Sequence, residues 1–308
     1  MTSVNGLLLI DKPEGWTSHN VVAKVRGIAA TRRVGHAGTL DPMATGLLVL
    51  GLNNATKLLT FLVGEDKTYV TTVRLGASTI TDDRESEFLN ISSPERVAAI
   101  DEAAIRAGLS RLTGEIMQVP SSVSAIKVNG ERAYAKVRGG DEVKLAARAI
   151  TITRFELLGD IRHVKEGANH FVDFDAIIDC SSGTYVRALA RDLGADLGVG
   201  GHLTALRRTR VGAYSIASAT ELAKLDRENL GMLSSADAAR AQFASRQLSP
   251  GEVIDLRHGK RIAAGDIADA ERSNVIAGFD LGGELVAMLE RVGGQLKSVV
   301  VFTQESHA

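Results

Sequence analysis

The stretch Gly35-His36-Ala37-Gly38-Thr39-Leu40-Asp41-Pro42 carries one carboxylate inside a frame of residues that restrict the backbone. Gly35 and Gly38 are free to adopt positive φ or to admit a close neighbour, and Pro42 turns Asp41 away from helical geometry. Apolar runs at 7–10 and 47–50 lie beyond the two ends, so a stiff framework is expected to hold the acid. Gly, Asp and Pro are also the ordinary residues of surface turns. Taken alone, its composition favours a turn with a capping aspartate over a catalytic loop.

The chain of 308 residues is long enough for two domains, and 44% apolar with 24% charged residues is the balance of a folded globular protein. No apolar run approaches the ~18 residues of a membrane-spanning helix, and no basic segment with a signal-peptide core opens the chain, so cytoplasmic residence is expected. The single cysteine, Cys180, excludes an internal disulfide framework, and the 7 histidines form no HExxH pattern. No structural metal is expected. Cys180 closes an alternating segment and reads as a small buried hydrophobe.

A net charge of -1 argues against binding nucleic acid over the whole surface, which needs clustered cations. Local patches remain: Arg32 and Arg33 precede the loop, Arg187 and Arg191 share an expected helix, and Arg207, Arg208 and Arg210 close a later strand. Each alone reads as a solvated face, but all three groups flank segments that resemble sites.

Periodicity predicts a strand over 7–10, a helix over 18–26 capped by Thr17 or Ser18, a strand over 68–75 and a helix over 101–112. The Gly139-Gly140 pair marks a turn. Strands are expected over 149–158 and 171–180, the second alternating Val172, Phe174, Ala176, Ile178 and Cys180 with Asp173, Asp175 and Asp179, so one face is buried and the other wet. A helix over 185–197 and a strand over 203–214 follow. Ser218-Ala219-Thr220-Glu221 reads as a capping box opening another helix, and 242–250 as a polar break. A boundary is placed at 230–246, with short strands over 275–279, 285–289 and 297–302 beyond it. Strands mixed with helices without regular βαβ spacing favour an α+β class, with a small β-rich carboxy-terminal domain.

No GxxxxGK[ST] loop, GxGxxG turn or GxSxG elbow occurs, which leaves a cofactor-free reaction with Asp41 as the best reactive group. A carboxylate can act as a nucleophile or stabilise an oxocarbenium-like centre at a sugar carbon, which fits chemistry at a glycosidic bond. A partly buried Asp41 needs a cation beside it to stay ionised, and Arg187 is the expected partner.

Several segments read together resemble one family. Residues 35–42, continuing through Ala44, Gly46 and Leu47 to Ala55-Thr56-Lys57, resemble the catalytic motif of bacterial tRNA pseudouridine-55 synthases of the TruB type. Residues 6–22 (GLLLIDKPEGWTSHNVV), Lys67-Thr68-Tyr69, the QxP…SAxKxxGxxxY…RxG pattern of 118–140, residues 180–187 (CSSGTYVR) and residues 202–208 resemble further motifs of that family. The matches are colinear over about 6–215.

The resemblance implies a pseudouridine synthase fold with a central mixed, mainly antiparallel sheet flanked by helices, a catalytic domain over 1–240 and a PUA-like domain over 247–308. It implies isomerisation of uridine 55 in the tRNA T loop without cofactor or metal, by a monomer that flips the base out of the RNA. By position, Asp41 is the catalytic carboxylate and Arg187 its ion-pair partner. Tyr69 stacks on the uracil and is a candidate for late proton transfer, Leu206 and Tyr185 shape the pocket, His36 sits where the base leaves the stack, and Lys12 with Pro13 buttresses the loop. Ser121 and Val123 depart from a proline and an aromatic common in the family, and Ser86 from a glycine after Thr79-Ile80-Thr81-Asp82-Asp83. A guide-RNA-dependent relative with the same loop, and a tRNA-binding folding helper without catalysis, are the competing readings.

Overall fold

The run of leucines at 7–9 is apolar at every position because β1 (Gly6–Lys12) is covered on both faces; Leu7, Leu8 and Ile10 are fully buried. The computed structural model describes residues 4–121, 127–128, 131–132, 145–228, 230–271 and 273–302. Val123 and the Gly139-Gly140 turn lie outside the described residues. The chain divides into two compact units: Met1–Asp41, Gly46–Val63 and Val211–Ala308 form the first, and Pro42–Thr45 with Gly64–Arg210 the second.

In the first unit β1 pairs antiparallel with β3 (Thr45–Leu52) from Gly6 opposite Leu52 to Lys12 opposite Gly46. Between them in sequence, β2 (Val34–His36) pairs antiparallel with the end of β3, placing His36 opposite Leu50. The Gly35–Pro42 stretch therefore leaves one sheet strand, and the chain returns as another. Its two glycines serve different needs. Gly38 takes φ +96°, where an L side chain is disfavoured, whereas a Cβ on Gly35 would come within 2.9 Å of Leu59 Cδ1.

The capping box expected at 218–221 does not open an α-helix. Thr220–Glu221 is instead a short strand pairing in parallel with Ile10 and Asp11, between 3-10 turns at Ile216–Ser218 and Leu222–Lys224. The unpaired edge of β1 supplies backbone partners that a local cap cannot match. The polar break expected at 242–250 is also built into structure. Strand Ala244–Gln247 pairs in parallel with Ile276–Phe279, and helix Pro250–Arg257 begins with a capping box of Ser249 and Glu252. Phe243, Ala244 and Leu248 within this stretch are buried, so its apolar residues outweigh its polar count. A five-stranded sheet follows, ordered Ala244–Gln247, Ile276–Phe279, Leu285–Val292, Gln295–Val301, Ile262–Ala263. Phe279, Met288 and Phe302 share a core with Leu7, Val49 and Leu58.

The second unit orders its strands Gly201–Val211, β4 (Lys67–Leu75), Asn169–Cys180, Arg148–Glu166 and Gly114–Gln118. β4 runs antiparallel to Asn169–Cys180, with Tyr69 opposite Ile178. On the face expected to be wet, each aspartate is held by an arginine: Arg74 chelates Asp173 at 2.8 and 2.9 Å, Arg162 chelates Asp175 at 2.9 and 3.0 Å, and Arg154 meets Asp179 at 2.7 Å. Helix Val186–Asp196 buries Leu189 and Leu193, and its Gly194 admits Gly200 and Gly201. The fold is α+β, and among the described residues no helix is long and apolar enough to cross a membrane.

Candidate active site

The first unit carries Lys12, His36 and Asp41. Asp41 follows Leu40, whose backbone is clamped at both polar groups by one hydroxyl: Ser18 Oγ donates to Leu40 O at 3.2 Å and accepts from Leu40 N–H at 2.9 Å. Ser18 is 1% exposed, so these bonds do not compete with water. Thr17, not Ser18, caps the helix α1 (Ser18–Ile28), its hydroxyl accepting from Asn20 N–H at 3.0 Å. That division of labour frees Ser18 for the loop. Sequence reading had seen only alternative caps, although adjacent Thr and Ser at a helix start offer two hydroxyls for one task.

Lys12 is fully buried and donates to Pro13 O at 3.0 Å and Trp16 O at 2.7 Å, which fixes the turn between β1 and α1. His36 is half-buried, its ring edge-on to His19 at 5.9 Å. Ala37 N–H bonds Val49 O at 2.9 Å, so the loop departs from the sheet only after Ala37. Asp41 itself is half-buried.

The second unit carries Tyr69, Tyr185, Arg187 and Leu206. Tyr69 on β4 is 7% exposed, and Leu206 on the neighbouring strand Gly201–Val211 is 6% exposed. Tyr185 sits at the N-cap of helix Val186–Asp196. Gln118 brackets its backbone, accepting from Tyr185 N–H at 2.9 Å and donating to Tyr185 O at 3.1 Å. Two motifs 67 residues apart are thereby joined by one amide.

Arg187 is buried and donates to Thr81 O at 2.5 Å and to Asp83 Oδ2 at 3.2 Å. Asp83 is the acid that sequence reading missed as a site residue, though it stood in the motif at 79–83. Its other oxygen accepts from Thr81 Oγ1 at 2.5 Å and Glu85 N–H at 3.0 Å, so the turn aims the carboxylate. Ser86, where the family often has glycine, joins this turn through Thr81 N–H at 3.0 Å and Thr81 Oγ1 at 2.8 Å. Arg191, one turn beyond Arg187, reaches Asp82 at 3.3 Å and Val119 O at 2.7 Å. Burial raises the Asp82 carboxyl above its usual range, with Arg191 and Arg187 pulling the other way.

Beneath Tyr69, Lys67 and Cys180 are opposite each other in register and both buried. Burial, with the Arg208 guanidinium adding to it, pulls the Lys67 ammonium down to about 8. Burial pushes the Cys180 thiol up to about 11, which makes it the inert hydrophobe expected from the sequence. The first unit thus offers a carboxylate on a rigid loop, a nucleophile or base, and the second a buried guanidinium held by Asp83 and a buried tyrosine, a cation and an aromatic surface.

Solved structures share this arrangement of strands and helices. A structure of an H/ACA RNP bound to a substrate RNA containing 2'-deoxyuridine matches with a TM-score of 0.70 over 98% of this chain and 86% of that chain, at 23% identity. An archaeal box H/ACA sRNP Nop10–Cbf5 complex matches at 0.69 over 97% and 86%, also at 23% identity. These likenesses show a shared fold of the same α+β class. The family model for TruB family pseudouridylate synthase (N terminal domain) matches residues 26–186, and models for the tRNA pseudouridylate synthase B C-terminal domain and tRNA Pseudouridine synthase II, C terminal, match 187–253 and 243–303. The chain belongs to the TruB family of pseudouridylate synthases. A relative from Arthrobacter sp. (strain FB24), named tRNA pseudouridine synthase B, is 56% identical over 97% of each chain, and one of the same name from Corynebacterium diphtheriae is 45% identical over 96% of each.

Proposed function

We propose that this enzyme isomerises uridine 55 in the T loop of tRNA to pseudouridine. The observation that carries the reading is the clamp of Ser18 on Leu40, which holds the carboxylate of the Gly35–Pro42 loop at a defined place in a chain whose relatives are named tRNA pseudouridine synthase B. In the reaction the C1′–N1 bond breaks, the uracil turns, C1′ bonds C5, and the C5 proton leaves as N1 gains one. Atoms and electrons balance without an added reactant.

By family resemblance Asp41 supplies the carboxylate for this step and Arg187 balances its charge. Tyr69 stacks on the extruded uracil and is the candidate for the late proton transfer. Leu206 and Tyr185 close the base pocket, His36 takes the place the base vacates, and Lys12 keeps the loop's approach rigid. Extrusion costs a few kcal/mol of lost stacking, which an aromatic surface returns in part. The T arm is recognised mostly through its shape and backbone. The enzyme works as a monomer in the cytoplasm, with catalytic residues in 1–240 and an RNA-binding PUA-like domain over 247–308.

Purified protein incubated with unmodified tRNA transcript and nothing else is expected to produce pseudouridine at position 55, detected by mass spectrometry. Asp41→Asn is expected to bind the tRNA and make none. Product from Asp41→Asn would remove Asp41 from the mechanism, and product only on adding a guide RNA would favour the guide-dependent reading.

A further inference from the structure

α1 and the turn just before it hold two aromatic rings that the reaction does not use. His19 is exposed on the first turn and meets His36 edge-on at 5.9 Å. Trp16 is half-buried just before the helix, with Lys24 Nζ 5.4 Å from its ring centroid. Both rings stand on anchored backbone. Trp16 O accepts from buried Lys12, Thr17 caps the helix, and Arg26 Nη2 ties the helix to β2 by donating to Val34 O at 3.1 Å.

The charge of this segment differs from that of the chain. Residues 16–36 contain Lys24, Arg26, Arg32 and Arg33 and no acid, whereas the whole chain has a net charge of -1. A positive, acid-free segment bearing one exposed and one half-buried ring matches what an unpaired RNA strand requires, a field for its phosphates and planar faces for its bases. A protein partner would gain little from rings fringed by cations without a counter-charge of its own. The His19 ring is continuous with that of His36, the residue placed above at the exit of the target base.

We propose that Trp16 and His19 form, together with His36, a rigid shelf that receives unpaired RNA loop bases next to the extruded uridine, with Lys24 pinning the indole and facing the phosphates. The inference rests on the proposed function, because His36 marks where the RNA lies. It assigns to α1 a substrate-positioning role distinct from the catalytic set. Rings fixed before binding lose little conformational freedom when a base stacks on them, so the shelf acts on affinity more than on the chemical step.

Trp16 is the chain's only tryptophan, so its emission reports this surface directly. Titration of the full-length Asp41→Asn protein with a T-arm stem-loop is expected to quench that emission, saturating with the RNA. His19→Ala is expected to weaken stem-loop binding about tenfold, within the range for loss of one stacked base. It should raise KM with kcat nearly unchanged, while His19→Phe restores binding. Lys24→Gln should reduce the salt dependence of binding by about one unit of slope. Unchanged emission at saturating RNA, or His19→Ala binding within twofold of the parent, overturns the shelf while pseudouridine formation by the wild type leaves the functional reading intact. Absence of both stem-loop binding and pseudouridine formation in the wild type overturns the functional reading and the shelf with it.

Discussion

Arg187 Nη1 donates to Asp83 Oδ2 across 3.2 Å, with the guanidinium 6% and the carboxylate 2% exposed. Two charges so far from water are tolerated because each is bonded elsewhere too, Arg187 to Thr81 O and Asp83 to Thr81 Oγ1 and Glu85 N–H. The turn at 79–86 and the helix Val186–Asp196 are thus joined at the point where the expected catalytic arginine stands. Removing Asp83 takes a buried counter-charge from Arg187.

Asp83→Ala should therefore lower unfolding free energy by about 3–5 kcal/mol, the usual cost of breaking a buried pair. Urea titration measures the loss, and single-turnover assays should show slower pseudouridine formation. A variant within about 0.5 kcal/mol of wild type, the range of an indifferent surface change, would mean that the pair contributes no structure.

Ser18→Ala removes the clamp on Leu40 and leaves a buried N–H and C=O each short of a partner. A loss of about 1–3 kcal/mol is expected. Because Asp41 is the next residue, kcat should fall several-fold with KM little changed; an unaltered kcat would separate the clamp from the chemistry.

Gly194→Ala should be among the most damaging alanine substitutions. Its Cβ would lie 2.1 Å from Gly201 N and 2.2 Å from Gly200 C, backbone atoms that cannot swing aside. A cost of about 3 kcal/mol, the upper end for overpacking, is expected as a lowered Tm. Gly251→Ala is the control: nothing lies within 4 Å of its Cβ, in helix Pro250–Arg257, and stability should rise by roughly 0.5 kcal/mol.

Lys67 predicts a pH dependence of stability. Its ammonium titrates at about 8 in the fold against 10.5 unfolded. Below pH 8 both states keep the proton, and the folded state bears the cost of a buried charge. Between 8 and 10.5 the folded chain has released the proton and the unfolded chain retains it, so stability rises with pH. Compared with Lys67→Met, wild type should gain up to roughly 3 kcal/mol across that window, read from urea titrations at each pH. A constant difference between the two proteins contradicts the lowered pKa.

The Cys180 thiol, buried and pushed up to about 11, should not react with a thiol-specific disulfide reagent at pH 8 in the native protein. One thiol per chain should appear after unfolding. Fast native reaction would show that this part of the sheet opens.

What the sequence determined by itself was local or repetitive. The apolar run of β1 and the alternation of Asn169–Cys180 depend on neighbours a few residues away, and the structure has both; the helix start was narrowed to Thr17 or Ser18, and the structure caps with Thr17. The motif order likewise identified the family, since Asp41, its loop glycines and a basic helix start keep their residue types wherever the fold puts them. Tertiary structure alone decided the partners. The box at 218–221 formed a strand because the edge of β1 was open to it, and the polar stretch at 242–250 entered a sheet because Phe243 and Leu248 had a core to fill. Asp83 became a partner of Arg187, and Ser18 the clamp of Leu40, across 104 and 22 residues of chain. Such pairings depend on where the backbone returns in space, and no periodicity within a short window encodes that.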